Sequence, residues 1–153
     1  MTPLSDDLIK ILSRTVIKEH PDDYSVVYID PGEGEKARTV LRDLEAYSSV
    51  TYTVDEVSVV LRSAEWEGLK GNFRASKVEG PYRLFTFDIV LDLSIVGFMS
   101  VVSTALTESG ISVYIISTYL KDHLLVKKQD AAKALNVLNG LFLQQKPNNI
   151  LFI

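Results

Sequence analysis

A chain of 153 residues, 46% apolar and 24% charged, is long enough for one globular domain or two small packed units and too apolar to stay disordered. Its net charge of -4, with 16 Lys and Arg against 20 Asp and Glu, lacks the clustered basic surface that replaces counterions on phosphates, so nucleic acid is not an expected partner. The absence of cysteine excludes disulfides, thiolate nucleophiles and cysteine-based zinc sites, and agrees with a reducing compartment.

At the start of the chain, Met1-Thr2-Pro3-Leu4-Ser5-Asp6-Asp7 carries acids where a targeting peptide is basic, so a cytoplasmic location is expected. From Leu8 to Ile17 and from Tyr24 to Ile29, β-branched and aromatic residues recur on either side of His20-Pro21-Asp22-Asp23, a pattern that predicts two strands joined by a turn. Asp30-Pro31-Gly32-Glu33-Gly34 stops the second strand. Ala37, Val40, Leu41 and Leu44 then fall at helical spacing, with Lys36, Arg38, Arg42 and Asp43 on the other side, which predicts an amphipathic helix over 35–45.

Strands are expected over Val50–Thr53 and Val57–Arg62, around Asp55-Glu56. The stretch Ser63 to Asn72, with Gly68 and Gly71, reads as a linker that holds one Trp, Trp66, whose ring is expected to pack. Phe73–Val78 and Leu84–Leu91 follow as strands separated by a Glu79-Gly80-Pro81 turn. Ser94 is placed to cap a helix that begins at Ile95, and Gly110 to end it in a left-handed cap. The apolar run of that helix, around Ile95 to Met99, is broken by Ser, Thr, Gly and Glu within one helix length, too soon for a membrane span. Ile111–Thr118 and His123–Lys127 are strands, Ala131, Leu135 and Leu138 mark a last helix to about Leu143, and the apolar tail Asn149–Ile153 can add an edge strand.

The order strand, helix, strand, strand occurs twice. A shift of about 66 positions lays Glu56 on Asp122 and Val60 on Val126, which suggests a duplicated unit. The expected architecture is therefore α+β, with two ferredoxin-like units, 1–66 and 67–153, each with helices on one face of an antiparallel sheet. Units this small bury little surface alone, so side-by-side packing of the pair is expected.

The sequence names no reaction. His20 and His123, the only histidines, have no companion ligands at metal spacing and read as a solvated turn residue and a half-buried strand residue. Pro31-Gly32-Glu33-Gly34 precedes a helix but carries an acid that repels phosphate, and no nucleophile elbow or dinucleotide fingerprint is present. No enzyme activity, cofactor or metal is expected. The polar groups that converge are of another kind: the helix start at Ser94-Ile95-Val96-Gly97-Phe98 can seat a carboxylate, while Thr118 and Asp122 can meet an ammonium group. Taken alone, the same residues also fit a capped helix, a satisfied threonine and a solvated turn acid.

The segments Val78-Glu79-Gly80-Pro81, Ile95-Val96-Gly97-Phe98-Met99, Ser109-Gly110-Ile111-Ser112-Val113 and Ile116-Ser117-Thr118-Tyr119 to Asp122-His123-Leu124-Leu125-Val126 resemble, in order, the second domain of small tandem ACT proteins of the CASTOR type. Tyr24-Ser25-Val26-Val27 and Thr53-Val54-Asp55-Glu56-Val57-Ser58-Val59-Val60 are similar to the first domain. The resemblance implies a regulatory protein that binds a free amino acid between two ACT units and acts on a protein partner. It implies contacts from Ser58 and Val59 in the first unit and from Gly97, Phe98, Thr118, Tyr119 and Asp122 in the second, with Asp122 on the ligand ammonium. Lys121 and His123 depart from the common form of the motif and bear on which amino acid fits. The alternative expectation is an interaction or dimerisation module with the same fold and no ligand, which forms a homodimer or docks on another protein.

Overall fold

A computed structural model describes residues 3–146. The elements, in chain order, are α1 (Asp6–Arg14), β1 (Ile17–Ile29), α2 (Gly34–Val40), β2 (Ser49–Tyr52), β3 (Val57–Arg62), α3 (Ser63–Leu69), β4 (Ser76–Phe87), α4 (Phe98–Glu108), β5 (Val113–Ser117), β6 (Asp122–Lys127) and α5 (Ala131–Gln144). Short 3-10 turns precede α2, follow α3 and precede α5. The tail Asn149–Ile153, expected as an edge strand, lies outside the described residues.

Contacts divide the chain into two compact units, residues 21–83 and residues 1–20 with 84–153. This differs from the contiguous division at residue 66 expected from the sequence. Strand β1 supplies residues to both units, as does β4, so the N-terminal residues belong with the C-terminal half. Each unit is a ferredoxin-like α+β fold.

In the 21–83 unit the strand order is β2-β3-β1-β4. Strand β3 pairs antiparallel with β1, Tyr24 opposite Arg62 through Ile29 opposite Val57, and with β2, Ser49 opposite Val60 through Tyr52 opposite Val57. Apolar residues on alternate positions, Val57, Val59 and Leu61 on β3 and Val27 and Ile29 on β1, meet Ala37 and Leu41 from the α2 region in one core. The expected linker is part of that core. Trp66 on α3 is buried and stacks on Phe73 with centroids 5.9 Å apart, so two large rings hold Ser63 to Asn72 in a helix against the sheet.

Both expected hairpin breaks are absent. Strand β1 runs through His20-Pro21-Asp22-Asp23, where Pro21 lies beyond the β1–β3 pairing, which begins at Tyr24, so the missing amide breaks no bond of that ladder. Strand β4 runs through Glu79-Gly80-Pro81. Gly80 has φ +146°, and a Cβ there would stand 3.0 Å from the Tyr24 carbonyl oxygen, so glycine permits a close approach of two backbones.

In the unit of 1–20 and 84–153 the strand order is β1-β4-β6-β5, and β5 pairs antiparallel with β6 from Val113 opposite Val126 to Ser117 opposite Asp122. Leu8–Ile17, expected as a strand, is largely helix. The Ser5 hydroxyl accepts the Leu8 amide at 3.2 Å, Asp6 and Asp7 occupy the first turn, and Leu8 and Leu12, one turn apart, are buried. Their core partners include Val102 and Leu106 on α4, Leu138 and Phe142 on α5, and Phe85, Phe87, Leu124 and Val126 on the sheet. Three phenylalanines set its centre: Phe87 meets Phe98 edge-on at 5.4 Å and Phe142 at 5.9 Å.

Candidate functional site

The start of α4 is open. Gly97 stands at the N-cap with φ +97°, a conformation that prevents a helix begun at Ile95 from continuing into Phe98, and a Cβ there would meet Leu8 Cδ2 at 3.2 Å. Ser94, the expected cap, instead turns its amide to the Asp92 carboxylate at 2.8 Å, and its hydroxyl bonds the same oxygen. These bonds hold Asp92 below the usual carboxylate range. No side chain caps α4, whose first amide bond runs from Val101 to the Gly97 carbonyl, so the amides of Phe98, Met99 and Ser100 have no partner within the helix.

The β5–β6 turn supplies a second set of groups. Thr118 donates both its amide, at 3.0 Å, and its hydroxyl, at 2.8 Å, to the Lys121 carbonyl. The turn is tied down further by the Leu91 amide on the Leu120 carbonyl at 2.7 Å and by Lys121 Nζ on Asp88 at 2.6 Å. Lys121 keeps Asp88 below its ordinary pKa, by its hydrogen bond first and its charge second. Its ammonium is thus engaged at the turn.

These two sets of groups line one cavity of about 300 Å³. Gly97, Phe98, Thr118 and Asp122 are in its wall, with Asp92 and Lys121. The Phe98 ring is 3% exposed and belongs to the core, so it anchors the start of α4. Tyr119 is not part of the lining and is 79% exposed. Ser58 and Val59 are not lining residues either. Val59 is fully buried in the core of the 21–83 unit, and Ser58 stands half-buried on β3 opposite Tyr28 and Thr51.

Two signals were missed in the sequence. His20, expected as a solvated turn residue, is buried on β1, and His123, on a strand as expected, is buried and not half-buried; the Thr86 hydroxyl joins them at 2.8 Å from His20 Nε2 and 2.9 Å from His123 Nδ1. Thr86, a hydroxyl flanked by buried Phe85 and Phe87, is the sequence signal for the pair, because a polar group in a buried strand needs a partner. Glu33 is the second. Its carboxylate takes the amides of Arg74 and Ala75 at 3.0 Å, bonds that lower its pKa, so the loop before α2 is closed by its own acid. Among the described residues no group of three or more His, Cys, Asp or Glu is placed to hold a metal, and no helix is long and apolar enough to cross a membrane.

A fold of two ferredoxin-like units with an open helix start beside a β-turn is the structural class that these observations define. Residues 77–140, which include the whole cavity wall, match the family model of the ACT domain. Among solved structures the chain is similar to a Vibrio cholerae protein of unknown function described as a possible transport protein, with 20% identity and a TM-score of 0.68 over 89% of this chain and 96% of that one. It is similar to an Agrobacterium tumefaciens protein at 24% identity and a TM-score of 0.66, over 84% and 90% of the two chains. The ligand-free regulatory subunit of aspartate kinase from Thermus thermophilus shares 12% identity and a TM-score of 0.65, over 84% and 98%. No curated protein matches the sequence significantly. At these identities the structural likeness speaks for the fold.

Proposed function

We propose that this chain is a non-catalytic regulatory protein of the tandem ACT kind that works in the cytoplasm, binding a free amino acid in the cavity at the start of α4 and signalling the bound state to a protein partner. The observation that carries the reading is a cavity of amino-acid size lined by Phe98, Met99 and Ser100, whose amides have no partner within the helix, and by Asp122. The amides and the positive end of the helix suit the ligand carboxylate, and Asp122 suits its ammonium. The match of residues 77–140 to the ACT domain supports the reading. Ser58 and Val59 do not line the cavity, so the proposal is confined to it.

A thermal-shift screen of the twenty amino acids tests it. At a hundred times its dissociation constant, a ligand that binds only the folded chain stabilises it by about 2.7 kcal/mol. The expected result is an upward shift with a small subset of amino acids; no shift with any of them at millimolar concentration would dismiss the reading.

A second reading is favoured by one observation. Leu93 is in the cavity wall, and Leu93, Val96, Tyr119 and Leu120 from the same two loops are large apolar side chains left exposed. A second copy of the chain that covered them would make the chain a dimerisation module. Light scattering would then show a dimer that persists without ligand and in Asp122→Ala, and a monomer over the micromolar range would count against it.

A further inference from the structure

The hydrogen bonds behind the cavity have a direction that their chemistry fixes. Thr118 Oγ1 is 2.8 Å from the Lys121 carbonyl and 3.3 Å from His123 Nε2. A carbonyl only accepts, so the Thr118 proton is given to Lys121 and its oxygen receives the Nε2 proton of His123. A neutral His123 with its proton on Nε2 has an accepting Nδ1, which takes the Thr86 proton at 2.9 Å. The Thr86 oxygen then receives the Nε2 proton of His20 at 2.8 Å. Every proton points the same way, from His20 toward the Lys121 carbonyl. Thr118, in the cavity wall, is left with one lone pair and no proton to give.

We propose that this buried chain makes Thr118 a hydrogen-bond acceptor in the cavity, so that Thr118 and Asp122 together select the ammonium group of a ligand, with His123 and Thr86 as positioning residues. The inference rests on the amino-acid reading above and adds what selects one end of the ligand. A ligand hydroxyl in the same place finds two acceptors, and a carboxylate finds an acceptor and a negative charge. Protonation of His123 would put a proton on Nδ1, reverse Thr86 and set a positive charge near the ammonium.

The charged groups that act on His123 include Asp122 on its own strand and Lys121 in the turn before it. Lys121 is held by Asp88 beyond β4, which Lys18 on β1 also faces; His20 on β1 reaches His123 through Thr86, and Ile116 stands opposite on β5. Burial lowers the pKa of His123 from 6.5, Asp122 opposes that and Lys121 adds to it. The neutral ring is therefore the form present near neutral pH, and ligand binding favours the same form.

Two measurements test the proposal. In the free protein with nitrogen-15-labelled imidazoles, NMR at about neutral pH should find His123 neutral with its proton on Nε2, and a proton on Nε2 of His20. A proton on Nδ1 of His123 would overturn the arrangement. Calorimetric titration of amino acids and their matched 2-hydroxy acids, between about pH 8 and pH 5, reads the selection. Amino acids should bind and hydroxy acids should not, with affinity level at the upper end and falling by up to about tenfold per pH unit below the His123 pKa.

His123→Gln keeps an N–H donor near the Nε2 position and does not titrate. It should bind amino acids as the parent does at the upper pH and lose the pH dependence, whereas His123→Leu should bind weakly throughout. A parent-like pH profile in His123→Gln, or hydroxy acids that bind as well as amino acids, would refute the proposal. If neither series binds, the selection falls together with the amino-acid reading, and the ring protons in the free protein separate that failure from a wrong proton arrangement.

Discussion

Gly97, Thr118 and Asp122 reach the cavity for different reasons, and only part of each reason is visible in the sequence. Gly97 is required by backbone conformation at φ +97°, so Gly97→Ala should cost roughly 1–2 kcal/mol of stability in urea denaturation, with added strain against Leu8. A parent-like midpoint would show that the helix start relaxes. Thr118 and Asp122 were legible as polar groups near a turn. That Thr118 spends its proton on its own turn was not, because the partner carbonyl of Lys121 is set by the hairpin geometry. The histidines were misread for a similar reason: burial comes from neighbours distant in sequence, and His20 meets a residue 66 positions away. His123 has a pKa lowered in the fold, so the unfolded chain binds more protons below about 6.5, and the stability present above that value should decline as pH falls toward the lowered folded value. His123→Gln should flatten that part of the pH–stability curve; an equally steep curve would place the titration elsewhere.

Elements were most legible where one periodicity ran without interruption. Strand β3 occupies Val57–Arg62 as expected, and α5 ends one residue beyond the expected Leu143. Errors gathered where a local signal competed with a tertiary one. Leu8 to Ile17 is rich in β-branched residues, yet Ser5 caps a helix and Leu8, Ile11 and Leu12 share its buried side. Pro21 and Gly80-Pro81 read as turns, and both lie inside long strands where the pairing tolerates them. Because Leu12 is fully buried in the helical core, Leu12→Ala should destabilise the chain by about 2–5 kcal/mol, and Ser5→Ala by about 0.5–2 kcal/mol. Urea midpoints for the two variants check this, and a loss at Ser5 as large as that at Leu12 would mean that α1 is held by its cap and not by its core face.

For the whole molecule, the shift of about 66 positions seen in the sequence corresponds to a repeated order of elements: β1-α2-β2-β3-α3 in one unit and β4-α4-β5-β6-α5 in the other. The sequence could not show how the second set is completed. Its remaining strand comes from the start of β1, residues 17–20, so contacts join the two ends of the chain into one unit. Such a closure depends on pairing between segments far apart in sequence, to which periodicity is blind. The repeat lays Glu56 on Asp122, and Asp122 lines the cavity.

The central claim, a free amino acid held between the start of α4 and Asp122, is tested most directly by calorimetric titration of the parent chain and of Asp122→Asn with the amino acids. The account predicts saturable one-site binding by the parent and a loss of about tenfold or more in Asp122→Asn, since a charge-assisted hydrogen bond of roughly 1.5–3 kcal/mol is removed. Binding of equal strength by both chains, or by neither, would contradict it.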